Sequence, residues 1–409
     1  GYQVGNVYNG NTSFSLNGTG TFNSSYSTKC SFTGNLSVNR TAAGITDLFG
    51  AGFNFITGNF SFSNTAGGHT YINSSNVLNG PINGTINITA TGAGNPNFYL
   101  KRIKNLTTGG AISVQNSGYT LIQNDTLTVT AINVSGFTGG NSDDLSGCLL
   151  TGNLTFAEGA TNNGSVYVGS STFNGNTSLV TNSPTTTWYE GYQVGNVYNG
   201  NTSFSLNGSG SFNSSYSTKC SFTGNLTVNR TGAGTTDLFG TGFNFITGNF
   251  NFSNTVGGNT FINSSNVLNG PINGTVNITA TGSGNPSFYL RKIKNLTGGG
   301  TISVQNSGYT LIQNDTLNVN TVNINGFTGG SSDEMSGNVI TGNVTFADAA
   351  TNTGSVKKKK NNIGGNTILS TNSASVWYES YSSSDTYFGN VTFNRNGTGP
   401  LYLSYSDTT

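Results

Sequence analysis

The sequence contains few charged residues and no long apolar run, and both shortages limit what the protein can be. Charged residues make up 7% of the 409 residues, and the formal net charge is +1. Such a chain lacks the basic surface that nucleic-acid binding requires, so no nucleic-acid partner is predicted. No apolar run reaches the roughly 18 residues that a membrane-spanning helix needs, so no membrane-spanning segment is predicted.

Histidine and cysteine are almost absent. The single histidine is His69, and Asn259 stands at the equivalent place 190 residues later. This difference argues against a histidine-based triad or zinc site common to both places and predicts a structural role for His69. Cys30 and Cys220 are also 190 residues apart, and Cys148 has no cysteine counterpart. We therefore expect buried or half-buried free thiols and no disulfide framework.

Repetition at two scales is the strongest positive signal. Residues 1–190 and 191–380 are two copies of one unit, and residues 381–409 resemble the start of a third, truncated unit. We therefore expect the chain to be a segment of a longer protein. Within each copy, a Gly-Asn pair precedes an alternating triplet, with neighbouring spacings of 23 to 25 residues. A period of about 20–50 residues is typical of solenoids and repeat arrays.

The triplet after each pair alternates as a half-buried strand does. Its third residue is always apolar: Phe14, Val38, Phe62, Phe156, Leu179, Phe204, Val228, Phe252, Phe346, Leu369 and Phe393. Two or three short strands in about 24 residues make one coil of a parallel β-helix, and stacked coils would share one core. We predict this all-β fold, with eight coils per copy. The alternative is a string of β-sandwich domains. The stretches 77–150 and 267–340 lack the regularly spaced Gly-Asn pairs, which indicates a loop or small insertion in each.

Carboxylates are the main candidates for chemistry. They occur at matching places in the two copies: Asp47 and Asp237, Asp125 and Asp315, Asp143-Asp144 and Asp333-Glu334, and Glu158 and Asp348. A pair of them could act as acid and base on a glycoside, or bind Ca²⁺. The loop 139–144 resembles a calcium loop only faintly. We expect that loop to be solvated instead, and we predict no catalytic residue, no cofactor and no metal.

Two basic segments are notable. The sequence Lys-Arg-Ile-Lys at 101–104 returns as Arg-Lys-Ile-Lys at 291–294. A bidentate arginine clamp would not tolerate this exchange, so a positive surface strip is predicted. Four lysines, Lys357 to Lys360, replace Tyr167-Val168-Gly169-Ser170. Because that place is the core of a predicted strand, the lysines indicate a local bulge or an error in the assigned sequence.

Asn-X-Ser/Thr sequons are frequent, as at Asn17, Asn35, Asn59 and Asn153. They are acceptor sites for N-glycans in secreted proteins. Several lie within the strand pattern, where a glycan would be crowded. Asparagines at the turns of a solenoid also stack into amide ladders, which gives these residues a sufficient structural reason.

The sequence pattern that the coils repeat, as in Thr-Gly-Asn-Leu-Thr-Phe at 151–156, resembles that of the giant repetitive surface proteins of gliding Bacteroidota. These proteins include adhesins exported by type IX secretion. The resemblance implies a large cell-surface adhesin or filament with its anchor elsewhere. It also implies O-glycans on Asp-Ser/Thr followed by an apolar residue. Thr126 and Thr316 fit that pattern, since each follows Asp and precedes Leu.

The leading hypothesis is a non-enzymatic, extracellular repeat region of a cell-surface adhesin or filament. Its expected partners are surface polysaccharide or a solid substrate, envelope-anchoring or secretion components, and further copies of itself. The second hypothesis is a glycan-binding or polysaccharide-degrading β-helix, which predicts an acidic groove with aromatic platforms on one face. A third, ice binding by outward threonine rows such as that around Thr126, is weakened by Asn318 and Asn320 in the second copy.

Overall fold

The computed structural model describes residues 3–93, 96–139, 142–283, 287–329 and 332–404. The chain divides into two compact units, Gly1–Asn201 and Thr202–Thr409. All the regular secondary structure in the described residues consists of β-strands. No helix long and apolar enough to cross a membrane is found in that part of the chain. The repeat boundaries at residues 190 and 380 remain predictions from the sequence.

The strands of unit 1 are short and evenly spaced. They are β1 (Val7–Tyr8), β2 (Thr12–Leu16), β3 (Phe22–Asn23), β4 (Cys30–Phe32), β5 (Leu36–Arg40), β6 (Thr46–Leu48), β7 (Phe53–Ile56), β8 (Phe60–Asn64), β9 (Thr70–Ile72), β10 (Pro81–Ile82), β11 (Ile86–Ala90), β12 (Phe98–Lys101), β13 (Lys104–Asn105), β14 (Ala111–Gln115), β15 (Thr120–Gln123), β16 (Thr126–Leu127), β17 (Ala131–Phe137), β18 (Asp143–Ser146), β19 (Leu149–Leu150), β20 (Asn153–Glu158), β21 (Val166–Gly169), β22 (Thr172–Phe173), β23 (Thr177–Thr181), β24 (Thr187–Glu190) and β25 (Val197–Tyr198).

Unit 2 repeats this pattern with small differences. Its strands are β26 (Thr202–Leu206), β27 (Ser211–Asn213), β28 (Cys220–Phe222), β29 (Leu226–Arg230), β30 (Thr236–Leu238), β31 (Phe243–Ile246), β32 (Phe250–Asn254), β33 (Thr260–Ile262), β34 (Val276–Ala280), β35 (Phe288–Arg291), β36 (Thr301–Gln305), β37 (Thr310–Gln313), β38 (Thr316–Leu317), β39 (Thr321–Phe327), β40 (Asp333–Ser336), β41 (Val339–Ile340), β42 (Asn343–Asp348), β43 (Val356–Lys359), β44 (Asn362–Ile363), β45 (Thr367–Thr371), β46 (Trp377–Tyr378), β47 (Thr386–Tyr387), β48 (Val391–Arg395) and β49 (Leu401–Tyr402).

Each coil of unit 1 contributes one strand to each of three parallel sheets, which we name A, B and C in chain order. The B sheet contains β2, β5, β8, β11, β14, β17, β20 and β23, so the described part of unit 1 has eight coils. The A strand precedes each of these and the C strand follows it. Each strand pairs in parallel with its counterpart in the next coil, as in β5 with β8. The predicted parallel β-helix with coils of about 24 residues is confirmed, and the sandwich alternative is wrong.

Unit 2 has the same three sheets. Nine B strands occur among its described residues: β26, β29, β32, β34, β36, β39, β42, β45 and β48. Its A sheet narrows in the middle, where Ile272 and Asn295 form only isolated parallel bridges. The C strands continue past this point without interruption, as β33 pairs with β35 and β35 with β37.

The third residue of each triplet points into the core. Phe62, Phe156 and Phe252 are at most 2% exposed, as predicted. Burial of a phenylalanine contributes about 1.5–3 kcal/mol. Phe14 is half-buried and Phe393 is 40% exposed. These two lie in the first and last described B strands, where stacking is present on one side only.

Each residue of the Gly-Asn pair makes one contact between neighbouring coils. The Asn11 side-chain oxygen accepts the Asn35 backbone N–H at 3.0 Å, and Asn35 accepts that of Asn59 at 2.8 Å. This amide ladder supplies the structural reason for the sequons at these turns. A Cβ on Gly152 would lie 2.3 Å from the Val129 carbonyl oxygen, so close stacking of the coils requires glycine there.

The stretches 77–150 and 267–340 do not interrupt the solenoid, although the coils that join Thr70 to Phe98 and Thr260 to Phe288 are longer than 24 residues. In the first stretch Ile88 pairs with Ile112, and β14 and β17 follow in register. The second stretch continues in the same way through β34, β36 and β39. These coils lack the Gly-Asn signature but keep the inward apolar residues, so the fold does not depend on the dipeptide.

All three cysteines are buried and free, as predicted. Cys148 lies at the corner between the C and A sheets, and its backbone N–H donates to Ser171 Oγ at 3.1 Å. Its counterpart Asn338 joins a corner ladder in unit 2. The Asn338 side-chain oxygen accepts the Asp315 N–H at 3.0 Å, and Asn361 accepts that of Asn338 at 3.2 Å.

The prediction of a bulge at Lys357 to Lys360 is wrong. Strand β43 pairs in unbroken register with β40, from Asp333 opposite Val356 to Ser336 opposite Lys359. Only Lys358 of this strand's lysines points inward, and it is fully buried. Its ammonium is tolerated because two carboxylates and a phenol surround it.

Candidate functional site

The outward side chains of the C sheet form a continuous row, which we call the C row. In unit 1 it consists of Asp47, Tyr71, Tyr99, Leu121, Asp144, Tyr167 and Tyr189, of which Leu121 is only 6% exposed. Strand alternation puts them outside, as for Tyr99 between the buried Phe98 and Leu100. Successive members are one coil apart, about 4.8 Å.

Two aromatic groups lie along the C row. The ring centres of Tyr71 and Tyr99 are 4.6 Å apart, and Tyr119 stands edge-on to Tyr99 at 5.6 Å. Further along, Tyr167 and Tyr189 stack at 5.2 Å with an interplanar angle of 13°. These rings are half-buried, so each presents part of its apolar face to solvent. Leu121 and Asp144 separate the two groups.

Polar side chains border the rings. The Lys101 ammonium lies 4.8 Å from the centre of the Tyr99 ring. The Gln123 amide donates to Asp144 at 2.7 Å. Burial raises the pKa of Tyr119 to about 12, so its phenol remains a hydrogen-bond donor at neutral pH. The C row therefore combines apolar ring faces with hydroxyl, amide and charged groups.

Unit 2 carries the same row with conservative and non-conservative changes. Its members are Asp237, Phe261, Tyr289, Leu311, Glu334, Lys357, Tyr378 and Tyr402. Phe261 and Tyr289 lie 4.6 Å apart, and the Arg291 guanidinium is 4.5 Å from the Tyr289 ring centre. Lys101 and Arg291 therefore perform the same cation–π contact. This contact explains why the two basic segments tolerate exchange of lysine and arginine.

A second recurrent feature is a cleft at the corner between the C and A sheets. It has a volume of about 230 Å³ in unit 1 and about 420 Å³ in unit 2. Both clefts combine an exposed leucine, two cations and a threonine: Leu78, Arg102, Lys104 and Thr126 in unit 1, and Leu268, Lys292, Lys294 and Thr316 in unit 2. The predicted positive strip thus divides between the C row and this cleft.

Thr126 and Thr316 lie at matching places on the outer surface of the two clefts. Thr126 is half-buried and Thr316 is exposed. Leu127 and Val129, which alternate with Thr126 and Thr128 along the chain, are buried. This is the alternation expected from the sequence. Both hydroxyls are therefore on the side of the strand where an O-glycan could be attached.

The acidic residue before each threonine points the opposite way. Asp125 and Asp315 are 1% exposed, and each accepts a backbone N–H at 2.7 Å, from Ile103 and Ile293. The second oxygen of each has no hydrogen-bond partner among the described residues. Burial raises the pKa of both carboxyls well above the usual range, because it disfavours the charged form.

The adjacent acids point in opposite directions, and the buried Asp143 departs from the solvated loop expected at 139–144. Asp143 is buried inside β18, and Asp144 points outward from the same strand. Asp333 and Glu334 separate in the same way on β40. Along the C row, Asp144 is four coils from Asp47, about 19 Å. Glycosidase carboxylates lie roughly 5–9.5 Å apart, so this arrangement does not resemble either glycosidase geometry.

Glu158 and Asp348 are buried, and each accepts several hydrogen bonds. Glu158 accepts hydrogen bonds from five donors: Asn162 Nδ2, the backbone N–H groups of Asn182 and Ser183, Thr186 Oγ1 and Trp188 Nε1. Asp348 keeps contacts with Asn352, Asn372 and Ser373. It does not reach the indole of Trp377, whose N–H has no hydrogen-bond partner within the described residues.

His69 has a structural role, as predicted. Its Nδ1 accepts the Asn97 backbone N–H at 3.3 Å, and its ring stacks on Tyr71 at 5.6 Å. In unit 2 the Asn259 side-chain oxygen accepts the Ser287 N–H at 3.1 Å. The asparagine thus takes over the accepting function of the imidazole.

No group of three or more His, Cys, Asp or Glu side chains suited to a metal occurs in the residues that the structure describes. The faint calcium-like loop 139–144 includes residues 140 and 141, which lie outside those residues. No known family model matches the chain, and comparisons with curated proteins and with solved structures gave no match. The C row and the corner cleft are therefore the surfaces on which a functional proposal rests.

The sequence does not predict the C row residue by residue. Its signal in the sequence is an aromatic residue at the outward place of an alternating triplet, as in Val166-Tyr167-Val168. Tyr71 and Tyr99 follow the same rule. The signal was weak because the spacing between C strands varies with the length of the turns.

Proposed function

We propose that this chain is a non-enzymatic structural repeat region of a large cell-surface adhesin or extracellular filament. The carrying observation is that each unit builds the same outward row from successive coils, so contact chemistry is spread along the sheet. Strand-to-strand pairing in every coil would give such a region mechanical stiffness. Its resemblance to the repetitive surface proteins of gliding Bacteroidota agrees with this function.

Surface polysaccharide is the partner that the C row favours. Pyranose rings present apolar C–H faces and equatorial hydroxyls, and the row offers ring faces beside polar groups. Tyr71, Tyr99, Tyr167 and Tyr189 would stack on sugar faces, while Asp144 and Gln123 would hydrogen-bond hydroxyls. A row of one contact per coil suits an extended polymer better than a small sugar.

A polysaccharide-degrading β-helix is the second candidate, favoured by the same aromatic row. The 19 Å span, about four coils, between Asp47 and Asp144 argues for binding without cleavage. Asp143 does not offer a second carboxylate, because its side chain faces the core. We therefore place glycan contact within the adhesin function.

The test measures how much of the purified chain is retained on immobilised polysaccharides that differ in charge and linkage. The double substitution Tyr99→Ala and Tyr289→Ala removes one ring from each unit. We expect binding by each unit to weaken by roughly two- to twelvefold, since one aromatic contact contributes about 0.5–1.5 kcal/mol. Tyr26→Ala with Tyr216→Ala is the matched control, because both are exposed tyrosines outside the C row.

Equal binding by both double variants would contradict a role for the C row. Release of soluble oligosaccharide by the unmodified chain would contradict the non-enzymatic proposal. If turnover occurred, Asp144→Asn and Glu334→Gln would identify whether an outward carboxylate of the row is responsible.

The proposed location is extracellular, at the cell surface, with envelope-anchoring or secretion components as further partners. Low charge and abundant amide and hydroxyl groups agree with such a surface. Antibody labelling and protease treatment of intact cells would test this. Signal that appears only after cell lysis would contradict it.

O-glycosylation at Thr126 and Thr316 is part of the proposal. Both hydroxyls lie outside, above a buried aspartate and before a buried leucine. Sugars there would add hydration that the few charges do not supply. Peptide mass spectrometry on native material should find both peptides heavier than their sequences, and unmodified peptides at both sites would remove this proposal.

A further inference from the structure

Lys358 lies within a closed group of reactive side chains in unit 2. Its Nζ is 3.2 Å from Glu379 Oε2 and 3.8 Å from Asp385 Oδ2. The Tyr387 hydroxyl accepts a hydrogen bond from the same Nζ at 2.5 Å. The side chains of Lys358 and Asp385 have no exposed surface. An amine and two carboxyls are therefore held together away from water.

The equivalent place in unit 1 has no amine. Val168 stands where Lys358 does, and Asn196 stands where Asp385 does. The carboxylate and phenol are retained there, with Tyr198 donating to Glu190 at 2.8 Å. The lysine and the second carboxyl thus appear together in unit 2.

The Asp385 carboxyl is held in an asymmetric way. Its Oδ1 accepts the Asn361 backbone N–H at 2.6 Å and the Asn361 side-chain N–H at 2.8 Å. Its Oδ2, on the side of Lys358, has no hydrogen-bond partner within the described residues. Two N–H donors on one oxygen are the arrangement that stabilises a tetrahedral oxyanion. The unbonded oxygen is correspondingly the better leaving group.

We propose that Lys358 and Asp385 form an intramolecular isopeptide bond, with Glu379 carrying the proton. The Nζ lone pair attacks Cγ of Asp385, and the carbonyl electrons move onto Oδ1, between the two Asn361 donors. Glu379 removes protons from the attacking nitrogen and delivers them to Oδ2. The Cγ–Oδ2 bond then breaks, and water leaves.

The reaction balances without any co-reactant. An ammonium and a carboxylate give one amide and one water, and Glu379 ends as the carboxylate with which it began. The amine must first lose a proton, which a neighbouring base accomplishes. Burial raises the pKa of Glu379 to about 7, so its carboxyl can hold that proton at neutral pH. The Tyr387 hydroxyl donates to Glu379 and keeps it in place.

The bond would join neighbouring coils of unit 2. Lys358 belongs to β43, and Asp385 lies in the turn just before β47. The link therefore closes a covalent ring of about one coil. In a region that bears tension, such a ring would prevent this coil from being pulled away from the next.

Mass spectrometry of the purified full chain tests the proposal. The intact mass should be lower by one water than the sequence requires. After digestion, Lys358 and Asp385 should occur in one branched peptide, and fragmentation should assign the amide to Asp385. The peptides that contain Val168 and Asn196 serve as an internal control and should be linear.

Two variants test the chemistry. Asp385→Ala removes the acyl carbon, so the full mass should return. Glu379→Gln removes the proton carrier but keeps size and burial, so amine and carboxyl should remain unlinked. Circular dichroism would show that each variant is folded.

The unmodified chain alone decides whether the bond exists and which residues it joins, and the Glu379→Gln variant decides the role of Glu379. Separate peptides with a free Lys358 amine in the unmodified chain would overturn it. A branched peptide joining Lys358 to Glu379 would overturn the assignment of Asp385. A link that forms equally well in Glu379→Gln would overturn the role of Glu379.

Discussion

Glu158 and Asp348 occupy the same place in the two units, and one methylene changes which groups each carboxylate reaches. Glu158 accepts the indole N–H of Trp188 at 2.9 Å. The shorter Asp348 leaves the indole N–H of Trp377 buried and unbonded, as seen in the described residues. A buried donor without an acceptor costs about 1–3 kcal/mol.

We predict that Asp348→Glu stabilises unit 2 by about 1–2 kcal/mol, because the longer side chain restores the hydrogen bond to Trp377. Glu158→Asp should destabilise unit 1 by a similar amount. Each unit has one tryptophan, so hydrogen exchange at the two indoles and urea denaturation followed by fluorescence would report the changes. Destabilisation by both substitutions would indicate that volume, and not the indole contact, decides the result.

The buried Asp125 and Asp315 should make the stability of the fold depend on pH, with a sign opposite to that of an ordinary salt-bridged acid. Their pKa is raised by burial, whereas the pKa of an unfolded aspartate is about 3.9. Their stabilising contribution is therefore complete below about pH 4 and decreases as the pH rises towards the folded-state pKa. Protonated carboxyls favour the fold here, and ionisation opposes it.

The variants Asp125→Asn and Asp315→Asn should remove this dependence. An amide suits the corner, since Asn338 and Asn361 already occupy the equivalent place in later coils. The variants should match the unmodified protein at pH 4 and exceed its thermal stability at pH 8. Thermal melts at both values would measure this, and a lower melting temperature of the variants at pH 8 would contradict the account.

At the scale of the element, Arg40 organises the turn from the B to the C sheet. Its guanidinium is buried without a carboxylate and donates to carbonyl oxygens of Gly18, Gly20, Ala42 and Ile45. Its Nε donates to Thr46 Oγ1. In the next coil Asn64 takes the same register position and donates to Thr70. The Arg40 guanidinium therefore stabilises two successive turns, the one that contains Gly18 and Gly20 and the one that contains Ala42 and Ile45.

Arg40→Lys should destabilise this turn by about 2–4 kcal/mol, because an ammonium has three donors and cannot reach four carbonyls spread around a planar fork. Arg230→Lys should have the same effect in unit 2, where burial lowers the pKa of the guanidinium to about 10 without removing its charge at neutral pH. Hydrogen exchange in residues 41–46 would measure the loss. Unchanged exchange there would show that the carbonyls are satisfied by other groups.

The sequence predicts the B strands well and the C strands poorly. The Gly-Asn pair marks the start of the B strand because its glycine packs against the preceding coil and its asparagine accepts a hydrogen bond from the following one, as Gly152 and Asn153 do. No such pair precedes the C strands, so the C row could not be assembled from spacing alone. The environment of Lys358 is hard to predict for a related reason, since its partners Glu379 and Asp385 both come from the turn between β46 and β47, about one coil further along the chain.

At the scale of the whole molecule, both units repeat the same contacts with different side chains. The aromatic C row, the corner cleft and the buried turn arginine all occur twice. Within each unit, the strands of a described coil pair with those of the coils next to it. The central claim is therefore that stability is local, with each coil depending on the coils that flank it.

Hydrogen exchange of Gly152→Val within unit 1 tests that claim most directly. The new side chain would collide with the backbone at Val129 and Thr130 and separate adjacent coils. The account predicts faster exchange in strands β16 to β23, with β2, β5 and β8 protected as in the unmodified protein. A uniform loss of protection through all strands of unit 1 would contradict it.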